Sequence, residues 1–283
     1  MCLHETTYGI NKRFSFLTEV IGEVRPASVL DVGCGTGVNL TYPLAKHFPD
    51  VRFLGIYSDT VSIEFARNHD TLSNLSFLEP SELVDGLKFD LIVCSEVIEH
   101  VEDPAAFLAS LVDRLSERGK IVVTVPNGYG PFEIASWAES LLYLSGIYQL
   151  LRRCKRFIRG RSLPALQTDR DTLAVCPHIN FFSCGDLRRL FASTGLTELK
   201  YRARTFLCGF GFDQAIRSEA SLTWNARVAD RLPRWTNSAW MFLLEPTGRR
   251  QGRQYKRGLY ARIRRYLNER RLALEDTSNG RGE

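Results

Sequence analysis

The chain has 283 residues, 44% of them hydrophobic and 24% charged, and a net charge of +5. That is globular material with room for one large α/β domain plus additions, and it excludes a chain disordered beyond its ends. The opening MCLHETTYGINKRF has no apolar run of the signal-peptide kind, and no stretch reaches the roughly eighteen uncharged apolar residues of a membrane span, so a cytoplasmic protein is expected. Seven cysteines, an odd number without a C-x-x-C pair, point to reduced thiols and not to a disulfide framework or zinc ribbon. Cys176, His178 and Cys184 fit no common zinc spacing, and no resident metal is expected.

In chain order, an amphipathic helix is predicted over Lys12 to Glu23, followed by a strand over Ser28 to Val32 and a helix over Val38 to His47. A strand near Val51 to Tyr57, a helix over Thr60 to Asn68 and strands at Leu75 to Leu78 and Phe89 to Ser95 come next. A helix over Pro104 to Ser116 should start at Asp103, a good N-cap, with Pro104 at its first position. After a strand at Lys120 to Val125, the segment Asn127 to Phe182 is too long for a simple connection and reads as a lid or insertion. Ser183 and Asp186 make a capping signal for a helix that stops at Gly195, and strands at Glu198 to Thr205 and Ala239 to Glu245 close the series. Apolar strands alternating with amphipathic helices predict a mostly parallel sheet covered on both faces.

The insertion carries apolar residues at near-helical spacing (Phe132, Trp137, Leu141, Leu144, Tyr148, Leu151) and then a basic flank from Arg152 to Arg161. Two readings stay open: a helix over the active site, or peripheral contact of 132–161 with an anionic inner membrane face. From Arg249 to Glu283 eleven Lys or Arg stand against four acids. This basic helical tail could meet nucleic acid, an anionic surface or an acidic partner, or be a solvated helix. The expected division is a domain over 1–248, with a lid at about 128–180, and a tail over 249–283.

The sharpest signal is VLDVGCGTG, from Val29 to Gly37. An apolar strand runs into a turn with Gly33, Gly35 and Gly37 on alternate positions, where the backbone can take positive φ and approach a ligand closely. Asp31 stands at the strand's carboxyl end, the ligand edge of an open parallel sheet. The glycine spacing differs from the dinucleotide G-x-G-x-x-G, which argues against NAD. A second signal is FDLIVCSEVIEHVEDP, from Phe89 to Pro104.

With these residues the chain resembles the class I S-adenosylmethionine-dependent methyltransferases: the acid and glycine loop match their first motif, and Asp90, Glu99, His100, Asp103 and Pro104 match the segment around the fourth strand. The resemblance implies a Rossmann-like seven-stranded sheet whose last pair brings in an antiparallel strand. It also implies S-adenosylmethionine as cofactor, with its methionyl part near Asp31, Gly33, Gly35 and Gly37. The chain departs from the family at Tyr57, where an acid ordinarily takes both ribose hydroxyls; Asp59 is the candidate to reach back. Glu79, Ser95 and Glu96 are the expected contacts toward the adenine end; the family's usual aspartate after the third strand has no clear counterpart, and Glu79 or Glu82 is the candidate to take its place.

Methyl transfer to a hydroxyl needs a proton acceptor, and histidine suits neutral pH. His100 and His178 are the candidates, each with a structural role as the competing reading. Glu96, Glu99 and His100 also resemble the metal-binding segment of ubiquinone-pathway O-methyltransferases, a run shared with relatives that hold no ion. Neither N-P-P-Y nor a Pro-Cys nucleophile follows the fourth strand, so nucleic-acid base methylation is not expected. The expected reaction is O-methylation of a small-molecule or lipid-linked acceptor. A non-catalytic scaffold, motivated by Tyr57 and by the unclear acid after the third strand, and an RNA methyltransferase using the tail are the rivals.

Overall fold

The computed structural model describes residues 5–69, 72–130, 133, 145, 178–208, 216, 218–248 and 255–279. The expected lid helix and its basic flank, 132–161, lie outside the described residues except for Glu133 and Ser145. Helix α1 (Glu5–Val24) leads into β1 (Ser28–Val32), α2 (Thr41–His47), β2 (Arg52–Ile56), α3 (Thr60–His69), β3 (Leu75–Leu78), β4 (Phe89–Ser95), α4 (Pro104–Val112) and β5 (Leu115–Pro126). Then follow α5 (Cys184–Ser193), β6 (Leu196–Ala203), α6 (Glu219–Arg231), β7 (Ala239–Pro246) and α7 (Leu259–Asn279).

The seven strands form one sheet in the order β3-β2-β1-β4-β5-β7-β6. The first five pair with one another in parallel, while β7 runs antiparallel to both β5 and β6. Successive strand residues point to opposite faces, and both faces are apolar because helices cover both. Leu30, Ile92, Ile121, Val123 and Phe242 build one core layer with Leu108 of α4 and Leu187 and Leu190 of α5. Val29, Leu91, Val93, Val122 and Leu243 build the other with Phe16, Leu17, Val20 and Ile21 of α1. The order reverses between β1 and β4, so the carboxyl ends of these two strands flank the sheet's ligand crevice.

Asp103 caps α4 as expected: its Oδ1 accepts from the amides of Ala105 and Ala106, both at 3.0 Å. Asp103→Ala should cost about 1 kcal/mol, lowering Tm by about 2–4 °C in a chain of this size. Thermal denaturation checks this, and no change in Tm would mean that the cap contributes nothing to the folded state.

Several boundaries differ from the sequence expectation for visible reasons. The segment from Gly37 to Leu40 is a turn, closed by the Leu40 and Tyr42 amides on the Gly37 carbonyl, so α2 starts three residues late. Helix α4 ends at Val112 because Leu115 already pairs with Phe89, and a register shift precedes the Leu91 and Lys120 pair. Asp90 fastens that irregular edge, accepting from the Ser116 hydroxyl at 2.8 Å and from the Ala27 and Ser28 amides. Helix α6 has no counterpart in the sequence reading. Its buried face is Leu222, Asn225, Ala226 and Ala229, too small and polar to announce an apolar stripe. Asn225 serves there as a bracket, accepting from the Phe206 and Leu207 amides and donating to the Leu207 carbonyl.

Candidate active site

At the end of β1 the chain turns with Gly33, Gly35 and Gly37 at φ of +81°, +57° and +75°. The Gly33 and Cys34 amides donate to the Ile56 carbonyl at 2.8 and 3.2 Å, fixing the loop over the end of β2. Gly33 is required twice over, since its φ is left-handed and an added Cβ would stand 2.4 Å from Val97 Cγ2. That contact also places the loop after β4 against the glycine turn. Gly35 differs: a Cβ there would meet nothing within 4 Å, so the left-handed backbone faces open space.

Asp31 is 5% exposed, and its carboxylate accepts a 2.6 Å hydrogen bond from Thr41 at the start of α2. Burial raises its pKa to about 6, against the lowering effects of the Thr41 bond and of the Arg13 charge. Tyr57 continues β2 with its amide on the Leu78 carbonyl at 3.3 Å, and its ring lies partly buried against the α1 side of the core. Asp59 is exposed and caps α3: one carboxylate oxygen accepts from both the amide and the hydroxyl of Ser62. Glu79 follows β3, its amide donating to Glu82 at 2.7 Å, while Glu82 is further engaged by Arg67 at 2.5 Å.

Ser95 ends β4 with its hydroxyl 2.9 Å from that of Thr124. Glu96 adopts φ +57°, a left-handed backbone that side chains rarely take. Its amide bonds the Thr124 carbonyl, and its carboxylate accepts from the Thr124 hydroxyl at 2.9 Å. Two arginines converge on it, Arg13 of α1 at 3.5 Å and Arg204 after β6 at 3.9 Å. Burial alone would raise the pKa of Glu96, but the two guanidiniums outweigh it and hold the group below its usual value. Neither arginine stood out in the sequence, because a basic residue on an amphipathic helix or past a strand carries no motif.

Glu99 is fully buried, and its two carboxylate oxygens have no hydrogen-bond partner among the described residues. Burial, helped by the charge of Glu96, pushes its pKa well up. The His100 Nε2 lies 4.0 Å from Glu99 Oε1, and the His100 and His178 rings meet edge to face at 4.9 Å between centroids. The Glu99 carbonyl receives the amides of Ile179 and Asn180, which is how His178, 79 residues downstream of Glu99, reaches this corner. Glu99, His100 and His178 each offer one ligand atom within 4.8 Å of the others. Two imidazoles and a carboxylate could hold a divalent cation; Glu96, paired to arginine, is outside that group.

His178 Nδ1 is 3.2 Å from Oε1 of the buried Glu133. Burial lowers the ring's pKa, but this hydrogen bond and the surrounding acids reverse the shift and raise it. The Glu133 hydrogen bond is the largest of the raising effects, and Glu99 and Glu96 add to it. Sequence reasoning missed Glu133, which stands within the unassigned insertion.

A strand that ends in an acid, a left-handed glycine turn over open space and an imidazole corner beside it are now joined to the 3-2-1-4-5-7-6 sheet. A family model described as a methyltransferase domain matches residues 4–201. The chain belongs to that methyltransferase family. The sheet order and the antiparallel β7 are those expected of its class I, S-adenosylmethionine-dependent branch. The chain is 35% identical over 163 residues to the ubiquinone biosynthesis O-methyltransferase of Bartonella quintana, an alignment covering 53% of this chain and 62% of that one. It is 33% identical over 124 residues to the mitochondrial ubiquinone biosynthesis O-methyltransferase of Schizosaccharomyces pombe, covering 40% and 43% respectively. The chain thus spans about half the length of these curated relatives.

Among solved structures, PKMT2 from Rickettsia typhi in complex with AdoHcy superposes with a TM-score of 0.51 at 18% identity, over 82% of this chain and 51% of that one. The plantazolicin methyltransferase BpumL, in complex with a triazolic desmethylPZN analogue and SAH, gives 0.50 at 16% identity over 85% of both. At such identities the likeness establishes the fold. S-adenosylmethionine is the cofactor of this methyltransferase family, and the residues fit it: open space faces Gly35, and the buried Asp31 and the partly exposed Arg13 stand as neighbouring charges. No helix among the described residues is long and apolar enough to cross a membrane.

Proposed function

We propose that this methyltransferase transfers a methyl group to a phenolic or enolic hydroxyl of a small-molecule or lipid-linked acceptor. The observation that carries the reading is the pairing of two imidazoles with a buried acid at the carboxyl end of β4, touching the glycine turn through Val97. The relatives' names, with O-methylation in ubiquinone biosynthesis, support the same class of acceptor.

S-adenosylmethionine supplies an electrophilic methyl on a sulfonium whose leaving group is already activated. What remains for the chain is positioning and removal of the acceptor's proton. Asp31 and Arg13 stand as neighbouring opposite charges, a match for the ammonium and carboxylate of a methionyl group. Gly33, Gly35 and Gly37 let the cofactor cross the sheet edge. Tyr57 is the residue at the end of β2 where the ribose would lie, and Asp59, already occupied by Ser62, would have to give up its cap to help. Glu79 and Ser95 remain the candidates flanking the adenine end, while Glu96 orients Arg13. His178 or His100 accepts the acceptor's proton.

Incubation with S-adenosylmethionine and a panel of catechols, with and without a prenyl tail, tests the reading through S-adenosylhomocysteine release. Turnover with a catechol that falls at least tenfold in His178→Asn or His100→Asn supports it. Turnover only with RNA, or none with any acceptor although S-adenosylhomocysteine binds, would replace it by the tail-guided or the scaffold reading.

A further inference from the structure

Helix α7 is more than a basic appendage, because its first turns lock onto the imidazole corner. Arg264 is fully buried, and an arginine cannot shed its charge, so it demands a carboxylate. Glu133 supplies one: Arg264 Nη2 donates to Glu133 Oε2 at 2.6 Å, with both side chains 2% exposed or less. The other oxygen of Glu133 faces His178 Nδ1. The Arg264 guanidinium also lies over the Phe181 ring, 5.3 Å from its centroid. One turn earlier Tyr260 stacks on Tyr129 at 4.4 Å, and Arg257 reaches Asn180 Oδ1 at 2.8 Å and the Glu102 carbonyl at 2.6 Å. The residues flanking His178 and His100 are therefore held by α7 together with Arg257, just before its start.

We propose that Arg264 is a positioning residue of the methyl-transfer site: through Glu133 it fixes His178 as the Nδ1–H tautomer, leaving Nε2 with the lone pair a proton acceptor needs. A guanidinium only donates, so it turns both Glu133 oxygens into oriented acceptors, one for itself and one for the ring N–H. The start of α7 then belongs to the active site, and the basic residues beyond it are a separate matter. The proposal rests on the reading of His178 as a proton acceptor given above.

The full-length chain labelled with 15N-histidine reports the tautomer directly in long-range proton–nitrogen spectra, recorded with EDTA at a pH where the ring is neutral; His178→Asn assigns the signal. The wild type and Arg264→Lys should show the Nδ1–H form, and Arg264→Met a mixture of both tautomers. Glu133→Gln gives the sharper result. Arg264 claims the amide oxygen, the NH2 turns to Nδ1, and the ring switches to the Nε2–H form. Retention of the pure Nδ1–H form in Arg264→Met or in Glu133→Gln overturns the proposal and leaves α7 a structural brace. Should Arg264→Met not fold, the isosteric Glu133→Gln decides alone. Calorimetric titration of S-adenosylhomocysteine into the same wild-type sample separates the two ideas: absent binding would remove the methyltransferase reading while the tautomer result still judges the relay.

Discussion

Gly35→Arg should abolish detectable S-adenosylhomocysteine binding, a loss of at least 100-fold, or about 2.7 kcal/mol, while the protein stays folded. The position separates binding from folding. Nothing stands within 4 Å of a Cβ there, so the new side chain meets no protein atom at its root and enters the space the cofactor needs. The cost to the fold is the left-handed backbone at φ +57° alone, about 1–2 kcal/mol. Gly33→Ala is the contrasting variant. Its methyl would arrive 2.4 Å from Val97 Cγ2 with φ at +81°, so strain and overlap add, and the loss of Tm should exceed that of Gly35→Arg although the side chain is far smaller. Calorimetry and thermal denaturation on the three proteins check both halves. Wild-type affinity in folded Gly35→Arg would show that the turn is not the cofactor cradle.

How much of this was readable beforehand depends on whether the determinant was local. The glycine turn, Asp31, the Asp103 cap and the alternation of strands and helices are written within short windows, and each stands where the sequence puts it. Residues whose role depends on distant partners were not readable. Arg13 and Arg204 meet the two carboxylate oxygens of Glu96 only because α1 and the end of β6 are both brought beside it by the fold. Glu133 and Arg264 are 131 positions apart, and neither has a motif. Glu96 was expected as a cofactor contact from its place after β4, yet its left-handed backbone and arginine partners give its carboxylate an internal task. Asp59 shows the same limit. As a lone acid beyond Tyr57 it is a candidate for the ribose, whereas the structure shows an acid followed three residues later by Ser62, engaged as a helix cap. His100 and His178 are the intermediate case, since their types were informative and their 4.9 Å proximity was not.

Asp31→Asn should move stability and binding in opposite directions. Burial holds the Asp31 carboxyl at a pKa of about 6 against an ordinary 3.8, so the folded protein without cofactor binds this proton more tightly than the unfolded chain does. The stability tied to that proton is fully present below about pH 4 and is lost as pH rises through about 6, a loss of about 3 kcal/mol. An asparagine keeps an oxygen for the Thr41 hydroxyl and has no charge to desolvate. At pH 7 the variant should therefore melt higher than the wild type by several degrees, the gain shrinking to nothing by pH 4. Binding runs the other way, because an ammonium group needs the ionised acid. Losing that charge-assisted bond costs about 1.5–3 kcal/mol, or roughly 10–150-fold in affinity for S-adenosylhomocysteine. In the wild type the affinity should fall about tenfold per pH unit below about 6, a slope the variant lacks. A variant less stable at pH 7 with unchanged affinity would mean that Asp31 is a structural anchor for Thr41; the opposed shifts instead mark a residue held at a cost to the fold because the cofactor requires its charge.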